Sequence, residues 1–594
     1  MQKTISPAQT EAQAVRLLDE HAVKTKTKRP QGHGRAERGL DAVAYQPEGF
    51  GRFGRMFPEL ARARFGDTLV QEQEVMQAIA ETMIKKDAGA DIDEPEAVDE
   101  NAAIPAGYTY FGQFIDHDIT FDPASDLDRD NDPGATEDFR TARLDLDSVY
   151  GRGPADQPYL YNPDLTIKLG SNQAPQYLKD AGKKRFDVQR SQLDLSGEVK
   201  PADQDCPRAM IGDKRNDENS IVVQIHALWQ RFHNKIMIDL AKPKTDKDNG
   251  RDGITGLGAF NTAQRLVRWH YQWVVMHDFV RRMVGDAMFE AVYNHGKPDL
   301  QYYKPEVARY PFMPVEFSVA AYRFGHSMVR PSYSLSCTIP HQKTRQLKRL
   351  PIFDMPFSCD SVSSLNGFRP LPGEWGIDWS FFLPHVDSKL PADTAELPFS
   401  KFVRPQPSYR LDTLLVDPLA NLPDQRNEKN KARRSLPVLN LLRGVALGLP
   451  SGQAVARRMG IEPLTDKELW LDAGNLTEKE NSDARRKVFE THRPQLHENA
   501  PLWYYILREA ELADPVKTPF KDDSGKAQAP MLGGSHLGKV GGRIVAEVLI
   551  GLAVADKQSY LVQNPNWKPT ATEKNMSAKS ARFELADVVN YIDS

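Results

Sequence analysis

Apolar residues recur at helical spacing along much of this chain, and the segments between them are rich in proline, glycine and charged residues. A period near 3.6 residues predicts amphipathic helices, whereas segments without it predict loops. The helical or apolar pattern covers residues 69–85, 108–118, 219 onward, 261–284, 317–331, 435–460, 501–512 and 538–561. Irregular stretches cover residues 122–138, 152–205 and 338–434. The pattern therefore predicts a mainly α fold with little β structure and long loops.

The first 45 residues differ from the rest because they carry a basic run with proline and glycine and few apolar anchors. This composition is typical of an arm on the protein surface. The alternative is that its basic charge contacts a nucleic acid or an acidic partner. We expect an N-terminal arm over residues 1–45 and one large folded domain over residues 46–594.

The charges of the whole chain nearly balance, with 77 basic and 81 acidic residues and a formal net charge of −4. This balance gives no electrostatic argument for nucleic acid as the main partner. The three cysteines, Cys206, Cys337 and Cys359, are too few and too scattered for a disulfide framework or a CxxC metal site. At least one thiol must stay free in a monomer, and this usage suits a reducing compartment.

No stretch of the sequence predicts a membrane span. The longest apolar run lies near Val545–Val554, and Glu547 interrupts it. The N-terminus lacks the apolar core of a signal peptide. We therefore expect a cytoplasmic protein, or one exported without such a peptide.

The segment Tyr108–Asp118, YTYFGQFIDHD, places four polar side chains among apolar ones. On a helix, Gln113 and His117 lie one turn apart on the same face, where a histidine and an amide can form the ceiling of a cofactor pocket. The alternative is a buried structural helix with a hydrogen-bonded histidine. In that case Asp116 and Asp118 are solvated or cap the helix.

A second polar segment, RTARLDLDSVYG, places residues with side-chain or backbone oxygens at every second position: Thr141, Arg143, Asp145 and Asp147. Three side chains and the backbone carbonyl of Arg143 make a partial shell for a hard cation such as Ca²⁺. Asp118 could complete that shell. The alternative is an ordinary acidic loop.

Later polar residues also leave alternatives open. Arg215 and Glu218, in the segment GDKRNDEN, precede a predicted helix, where a loop could present them to a pocket. Asp217 or Asn219 could cap that helix. Two pairs of histidines seven residues apart read as structural: His226 with His233, and His270 with His277. His326 lies in an apolar segment and is either structural or an axial ligand of iron.

Together these segments resemble the animal haem peroxidase family (the peroxidase–cyclooxygenase superfamily), in a bacterial member. The resemblance covers roughly residues 50–565 and rests on several motifs in the family's order: GQFIDHD, TARLDLDSVYG, GDKRNDEN, YRFGHSMV and LPVLNLLRG. It implies one large helical domain with haem b between the helices that carry His117 and His326.

The resemblance also implies roles for single residues. His117 is the distal acid–base histidine, Gln113 the pocket amide and Arg215 the catalytic arginine. His326 is the iron ligand, and Asn440 accepts a hydrogen bond from its Nδ1–H.

Four further residues are implied to hold the haem. Asp116 and Glu218 stand where the family forms ester bonds to haem methyl groups, and Arg323 and Arg443 stand near the propionates. Asn219 stands where some members carry a methionine that forms a sulfonium bond, so that bond should be absent. The implied calcium ligands are Asp118, Thr141, the carbonyl of Arg143, Asp145 and Asp147.

The implied activity is that of a haem peroxidase. Such an enzyme reduces hydrogen peroxide and oxidises phenols, halides or thiocyanate through an oxoferryl intermediate. One alternative is a haem-dependent fatty-acid dioxygenase, which uses a tyrosine three residues before the proximal histidine, where this chain has Arg323. Another is a non-enzymatic haem-containing adhesion protein, which would need neither His117 nor Arg215.

Overall fold

Most of the helical periods of the sequence fold as helices, and these pack around one large apolar core. The structure is a computed structural model, and it describes residues 51–85, 99–170, 186–191, 206–243, 253–294, 296–305, 311–336, 349–353, 363–387, 405–425, 428–472, 479–513, 520–521, 527–528, 533–569 and 582–594. The predicted arm over residues 1–45 lies outside these ranges, so the domain boundary at residue 46 stays a prediction.

Fifteen α-helices lie in the described part of the chain, several of them only one turn long. They are α1 Leu69–Glu81, α2 Gly107–Ile119, α3 Asp147–Tyr150, α4 Ser220–Ala241, α5 Gly256–Val274, α6 Arg281–Val284, α7 Asp286–Val292, α8 Leu436–Ala446, α9 Gly452–Arg458, α10 Lys479–Thr491, α11 Arg493–Leu496, α12 Leu502–Leu512, α13 Lys539–Ala555, α14 Tyr560–Gln563 and α15 Leu585–Ile592. The predicted mainly α fold is therefore confirmed.

The strands are short and form small separate sheets. They are β1 Gly51–Gly54, β2 Glu100–Pro105, β3 Glu137–Asp138, β4 Tyr293–Asn294, β5 Lys297–Pro298, β6 Met313–Pro314, β7 Ser332–Tyr333, β8 Leu350–Pro351, β9 Pro407–Tyr409, β10 Phe520–Lys521 and β11 Ala527–Gln528. Strand β1 pairs with β3 in antiparallel and with β6 in parallel orientation. The other strands form antiparallel pairs: β2 with β9, β4 with β5, β7 with β8, and β10 with β11.

Local sequence signals set several helix starts. Thr68 and Gln71 form a capping box at the start of α1, with each side chain bonding the other's backbone N–H. Asn219 caps α4 by accepting a bond from the N–H of Ile221 at 2.8 Å. Of the two caps that the sequence allowed for α4, the structure has Asn219.

The segment around His326 departs from regular α-helix. It forms a π turn at Glu316–Ala320 and then a 3-10 helix at Ala321–His326. A similar π turn, Val275–Val280, joins α5 to α6. The predicted helix over residues 261–284 therefore begins five residues earlier, at Gly256, and is not uniform. Such π segments often lie at functional sites.

Helix α2 packs its aromatic face into the core against the α5 region. The ring of Phe111 lies 5.9 Å from that of Phe279 and 6.2 Å from that of Tyr271, both edge to face. Phe114 also meets Tyr271 edge to face, at 6.1 Å. Each of these rings is almost fully buried. Truncating one to alanine would cost about 3–5 kcal/mol, so the face that carries these rings fixes the rotation of α2.

The apolar run near Val545–Val554 forms the buried helix α13, and Glu547 inside it is fully buried. Its carboxylate accepts bonds from the backbone N–H groups of Tyr302 and Tyr303 at 2.7 and 2.9 Å. The charge in this run thus anchors a neighbouring turn. Among the described residues, no helix is long and apolar enough to span a membrane.

Cys206 is disulfide-bonded. The sequence predicted no disulfide framework, so this bond was not expected, and the reducing compartment stays a prediction. The spacing of three cysteines gave no reason to expect a pair, since chain folding and not sequence separation brings two sulfurs into bonding distance. Cys337 and Cys359 lie outside the described residues.

Candidate active site

One face of α2 stays partly open while the rest of the helix is buried. Within Gly107–Ile119, the residues that are not buried are Gly112, Gln113 and Asp116. Gln113 and Asp116 lie three residues apart and share one face, and Gly112 lies at its edge, where a Cβ would meet the ring of Phe279. A helix buried everywhere except one polar stripe fits a cofactor lying against that stripe.

His117 follows on α2 and is 4% exposed. Its Nδ1 bonds the side-chain oxygen of Asn216 at 2.9 Å, and its Nε2 lies 3.6 Å from Oε1 of Glu218. The same Glu218 oxygen accepts a bond from Nε2 of Gln113. Burial, with a smaller contribution from Arg215, lowers the pKa of His117 to about 3. The ring is therefore neutral near pH 7, as a general base must be.

Arg215 reaches this histidine from a 3-10 turn, Lys214–Asp217, which Asp213 caps by accepting a bond from the N–H of Arg215 at 2.9 Å. Nη2 of Arg215 donates to the backbone oxygens of His117 at 3.0 Å and Thr120 at 2.6 Å. It also donates to Oδ2 of Asp213 at 2.8 Å. Three acceptors on one nitrogen fix the guanidinium beside the end of α2.

Asp213 also bonds a second arginine. Arg140 donates to its Oδ2 from Nε at 2.8 Å and lies 3.3 Å from Oδ1 of Asp147 through Nη1. Burial alone would raise the pKa of Asp213, but Arg140 and Arg215 together hold it below its ordinary value. A chain of ion pairs therefore runs from Asp147 through Arg140 and Asp213 to Arg215.

Asp147 belongs to a cluster of three carboxylates with Asp118 and Asp145, and oxygens of all three lie within 4.8 Å of one another. Burial and mutual repulsion raise the pKa of Asp118 well above its ordinary value and that of Asp147 to about 7. Such crowding disfavours three negative charges unless a cation neutralises them. The donor set therefore fits a hard cation such as Ca²⁺.

The hydroxyl of Thr141 donates to Asp145 at 3.0 Å, which places it beside this cluster. Ser148, which the sequence did not single out, donates to Asp118 at 3.3 Å. Leu146 adopts a left-handed backbone, φ 57°, and its N–H bonds Asp118 at 3.1 Å. This turn curls the loop around Asp118. Arg143 lies in the same loop, and its carbonyl as a ligand stays a prediction.

His326 lies at the end of the 3-10 helix Ala321–His326. Nδ2 of Asn440 is 2.8 Å from its Nδ1, and Oδ1 of Asn440 accepts a bond from Nη1 of Arg323. The amide is thus turned opposite to the prediction, in which Asn440 accepts from His326. The physical reason is Arg323, which has only donors and therefore takes the amide oxygen. Burial and Arg323 lower the pKa of His326 to about 3.

Contacts between the two histidine segments bring them to one site. The hydroxyl of Tyr322 donates to the carbonyl of Gly112 on α2 at 3.1 Å. Burial raises the pKa of Asp116 above its ordinary value, and the positive charges of both Arg215 and Arg323 oppose this rise. A Cβ on Gly325, beside His326, would meet open space. Two neutral histidines and this open space fit a haem.

Two predicted haem contacts have protein partners. Asp116 accepts a bond from the hydroxyl of Thr120 at 3.1 Å. Arg443 donates to the backbone oxygen of Ser125 at 3.1 Å and lies 3.8 Å from Asp122. Arg443 is therefore bound to the acidic loop after α2.

The sequence missed three residues that hold the predicted catalytic groups: Asn216, Asp213 and Arg140. The signal for the first two was their place in the motif GDKRNDEN, next to Arg215. Arg140 is the first residue of the segment RTARLDLDSVYG and immediately precedes the first predicted calcium ligand, Thr141. Their roles depend on contacts with residues distant in sequence, which a helical period does not predict.

Comparisons with known proteins show which family this chain is similar to. The model of the family described as animal haem peroxidase matches residues 131–373. Thyroid peroxidase from Canis lupus familiaris is 27% identical over 194 residues, which are 32% of this chain and 19% of that protein. Chorion peroxidase from Aedes aegypti is 29% identical over 123 residues, 20% of this chain and 14% of that protein.

Among solved structures, peroxidase A from Dictyostelium discoideum aligns with a TM-score of 0.55 and 15% identity, over 92% of this chain and 93% of that one. The comparisons support the animal haem peroxidase family. At this identity the structural likeness shows the shared fold. The aligned part of this chain spans about a fifth of the length of the thyroid peroxidase it matches. The family match includes Arg215 and His326, whereas His117 and Asn440 lie outside it.

Proposed function

We propose that this chain is a haem peroxidase that reduces hydrogen peroxide and oxidises small donors. The observation that carries the proposal is the pair of neutral histidines on linked segments, one beside Arg215 and the other bonded to Asn440. His326 would hold the haem iron through Nε2. A bound haem supplies the iron centre at which the O–O bond of peroxide breaks and from which donors are oxidised.

The chain's own groups move the proton. Nε2 of neutral His117 takes a proton from one peroxide oxygen and returns it to the other, which leaves as water. Arg215 supplies fixed positive charge next to the breaking bond. Its three acceptors hold it there without further ordering during the reaction. Gln113, bonded to Glu218, orients that carboxylate at the edge of the same pocket.

Binding iron through Nε2 requires the proton of His326 to lie on Nδ1. Asn440 must then turn its oxygen toward His326, and Arg323 must give up that oxygen. A haem carboxylate is the natural new partner of Arg323, because a guanidinium pairs with a carboxylate in bidentate fashion. With haem bound, Arg323 would pair with a haem carboxylate, and Asn440 would hold the proton of His326 on Nδ1.

The three-carboxylate cluster supports bound Ca²⁺ in the same protein. Asp118 directly follows His117, so a cation on Asp118 would hold the end of α2 in position. The predicted ligands remain Asp118, Thr141, the carbonyl of Arg143, Asp145 and Asp147.

Asp116 and Glu218 would form ester bonds to haem methyl groups. Asn219 caps α4, whereas Glu218 lies beside Gln113 and His117. Extraction with acid and acetone tests the esters. Haem should remain on the protein after peroxide treatment, and complete release would exclude them.

We expect the donors to be phenols, iodide and thiocyanate, with little chloride turnover. Asn219 has no thioether, and its amide oxygen is engaged as a helix cap. A sulfonium bond to haem therefore cannot form at this position. Vigorous hypochlorous acid production at neutral pH would contradict this expectation.

Peroxide-dependent oxidation of guaiacol tests the function. The wild-type chain should oxidise guaiacol, and His117→Ala should lower the rate by about 10²–10⁴ while haem content is kept. Oxygen uptake with a fatty acid, without peroxide, would instead indicate a dioxygenase. Haem binding with no turnover of either kind would indicate a non-enzymatic protein.

A further inference from the structure

Three buried side chains form a hydrogen-bonded line behind the distal histidine. Nδ1 of His117 lies 2.9 Å from Oδ1 of Asn216, and Nδ2 of Asn216 lies 3.0 Å from Nδ1 of His226. Asn216 and His226 are each 0% exposed. His226 sits on α4, and its ring meets that of Phe114 of α2 edge to face at 6.1 Å. Residues from three separate elements thus converge on one line.

The line determines which nitrogen of His117 carries the proton. An amide oxygen only accepts, so Nδ1 of His117 must donate to Asn216. In a neutral ring the other nitrogen then has the lone pair. Nε2 is the nitrogen that lies toward Glu218 and the pocket. The lone pair therefore points to where peroxide would bind.

The amide of Asn216 could in principle turn over. Its nitrogen would then face His117, the proton of His117 would move to Nε2, and no base would remain in the pocket. The amide nitrogen lies 3.0 Å from Nδ1 of His226, and this contact opposes the rotation as long as the proton of His226 stays on Nε2. Nε2 of His226 has no hydrogen-bond partner within the described part of the chain. Among the described residues, the contact with Asn216 is thus the one hydrogen bond of this ring.

We infer that Asn216, anchored by His226, is a positioning residue that holds His117 in the tautomer protonated on Nδ1. This inference rests on the proposed function. Neither residue touches peroxide. They act through His117 by presenting a lone pair to the oxygen that must lose its proton. The histidine that its spacing marked as structural is thereby part of the acid–base arrangement.

Kinetics on four variants of the full-length haem protein test this. Asn216→Leu removes the acceptor and should lower the second-order rate constant for peroxide roughly 10- to 100-fold. Asn216→Asp keeps an oxygen facing His117 and should retain most of the rate that leucine loses. His226→Phe keeps a ring of similar shape but loses the acceptor, so the rate should fall about 2- to 10-fold.

His233→Phe is the matched control. His233 lies seven residues further along α4, is equally buried, and bonds the hydroxyl of Tyr150 at 3.0 Å. Its loss removes a buried histidine hydrogen bond from the same helix without touching Asn216. The rate constant for peroxide should stay at the wild-type value. In all variants, the rate constant for reduction by guaiacol should be unchanged, because that step needs no base at His117.

A second measurement reads the tautomer itself. Nitrogen NMR of ¹⁵N-histidine-labelled full-length chain, loaded with diamagnetic zinc protoporphyrin, shows which ring nitrogen of His117 carries the proton. We expect Nδ1–H in the wild type and a mixture in Asn216→Leu. Protonation on Nε2 in the wild type, or the same tautomer and rate in Asn216→Leu, would overturn the inference. A wild type that does not react with peroxide but shows Nδ1–H would contradict the function and leave the positioning supported.

Discussion

Replacing Asp213 by asparagine should both destabilise the protein and slow its reaction with peroxide. Asp213 is 2% exposed and accepts bonds from Arg140 and Arg215 at 2.8 Å each. Asparagine keeps the shape of the side chain but removes the negative charge. The guanidinium groups of buried Arg140 and of partly exposed Arg215 then lose the carboxylate that they share.

The magnitude follows from the partners that remain. Removing one member of a buried ion pair costs about 3–5 kcal/mol. Arg140 would keep Asp147 and the carbonyl of Gly212, at 3.3 and 3.0 Å. Arg215 would keep two backbone oxygens of α2. We therefore expect the lower end, about 3 kcal/mol, and a peroxide rate constant lowered roughly 10- to 100-fold by the looser Arg215.

Asp217→Asn provides a matched control. Asp217 lies in the same turn, is equally buried, and accepts bonds from Arg190 at 2.7 and 2.8 Å. The Asp217→Asn substitution should lower the free energy of unfolding, measured with urea, by a similar amount. It should leave the rate constant for peroxide, measured by stopped flow, unchanged. If Asp213→Asn costs less than about 1 kcal/mol, or slows the reaction no more than Asp217→Asn, the reasoning about Arg215 is refuted.

The remaining predictions concern the haem, the cation and acid stability. His326→Ala should abolish stable haem binding, whereas His117→Ala should keep haem and lose peroxide reactivity; a wild-type rate in the latter would refute the distal assignment. Freshly purified protein should contain one Ca²⁺ by elemental analysis. If free calcium was at 100 times its dissociation constant, removing it with a chelator should lower the free energy of unfolding by about 2.7 kcal/mol. Asp145→Ala should abolish that effect. A wild type whose stability does not respond to the chelator would count against the site. Burial lowers the pKa of His233 and of His270 to about 4 each. The unfolded chain therefore binds more protons below pH 6.5, and stability should fall by up to about 1.4 kcal/mol per pH unit for each histidine as the pH drops from 6.5 to 4. Urea midpoints at pH 7, 6 and 5 measure this, and an unchanged slope in His233→Phe would contradict it.

Helix positions could largely be predicted from the sequence because the apolar period is a local property. The predicted α2, α4 and α12 form at or within a few residues of their expected bounds. Helices α10 and α15 were not predicted. Helix α10 is strongly polar and carries little apolar signal, whereas α15 is short and follows a loop-like stretch. The irregular backbone before His326 was not predictable either, because π and 3-10 turns share their apolar spacing with α-helix.

The candidate site was predictable where several polar residues share one short motif. GQFIDHD and TARLDLDSVYG each carry their members within a few residues, so local folding alone brings Asp145 and Asp147 together. The partners Asp213 and Arg140 lie 73 residues apart, and only the packed fold joins them. The orientation of the Asn440 amide depends on Arg323, more than a hundred residues away. Spacing in the sequence carries no information on such a contact.

The absorption spectrum of the purified protein before and after hydrogen peroxide tests the central claim most directly. The claim is that His326 holds a haem, and that His117 on α2 and Arg215 on the 3-10 turn Lys214–Asp217 face it. The account predicts a haem Soret band that shifts within seconds of adding peroxide and returns when guaiacol is added. A protein that binds haem but shows no spectral change with peroxide, or one that binds no haem at all, would contradict it.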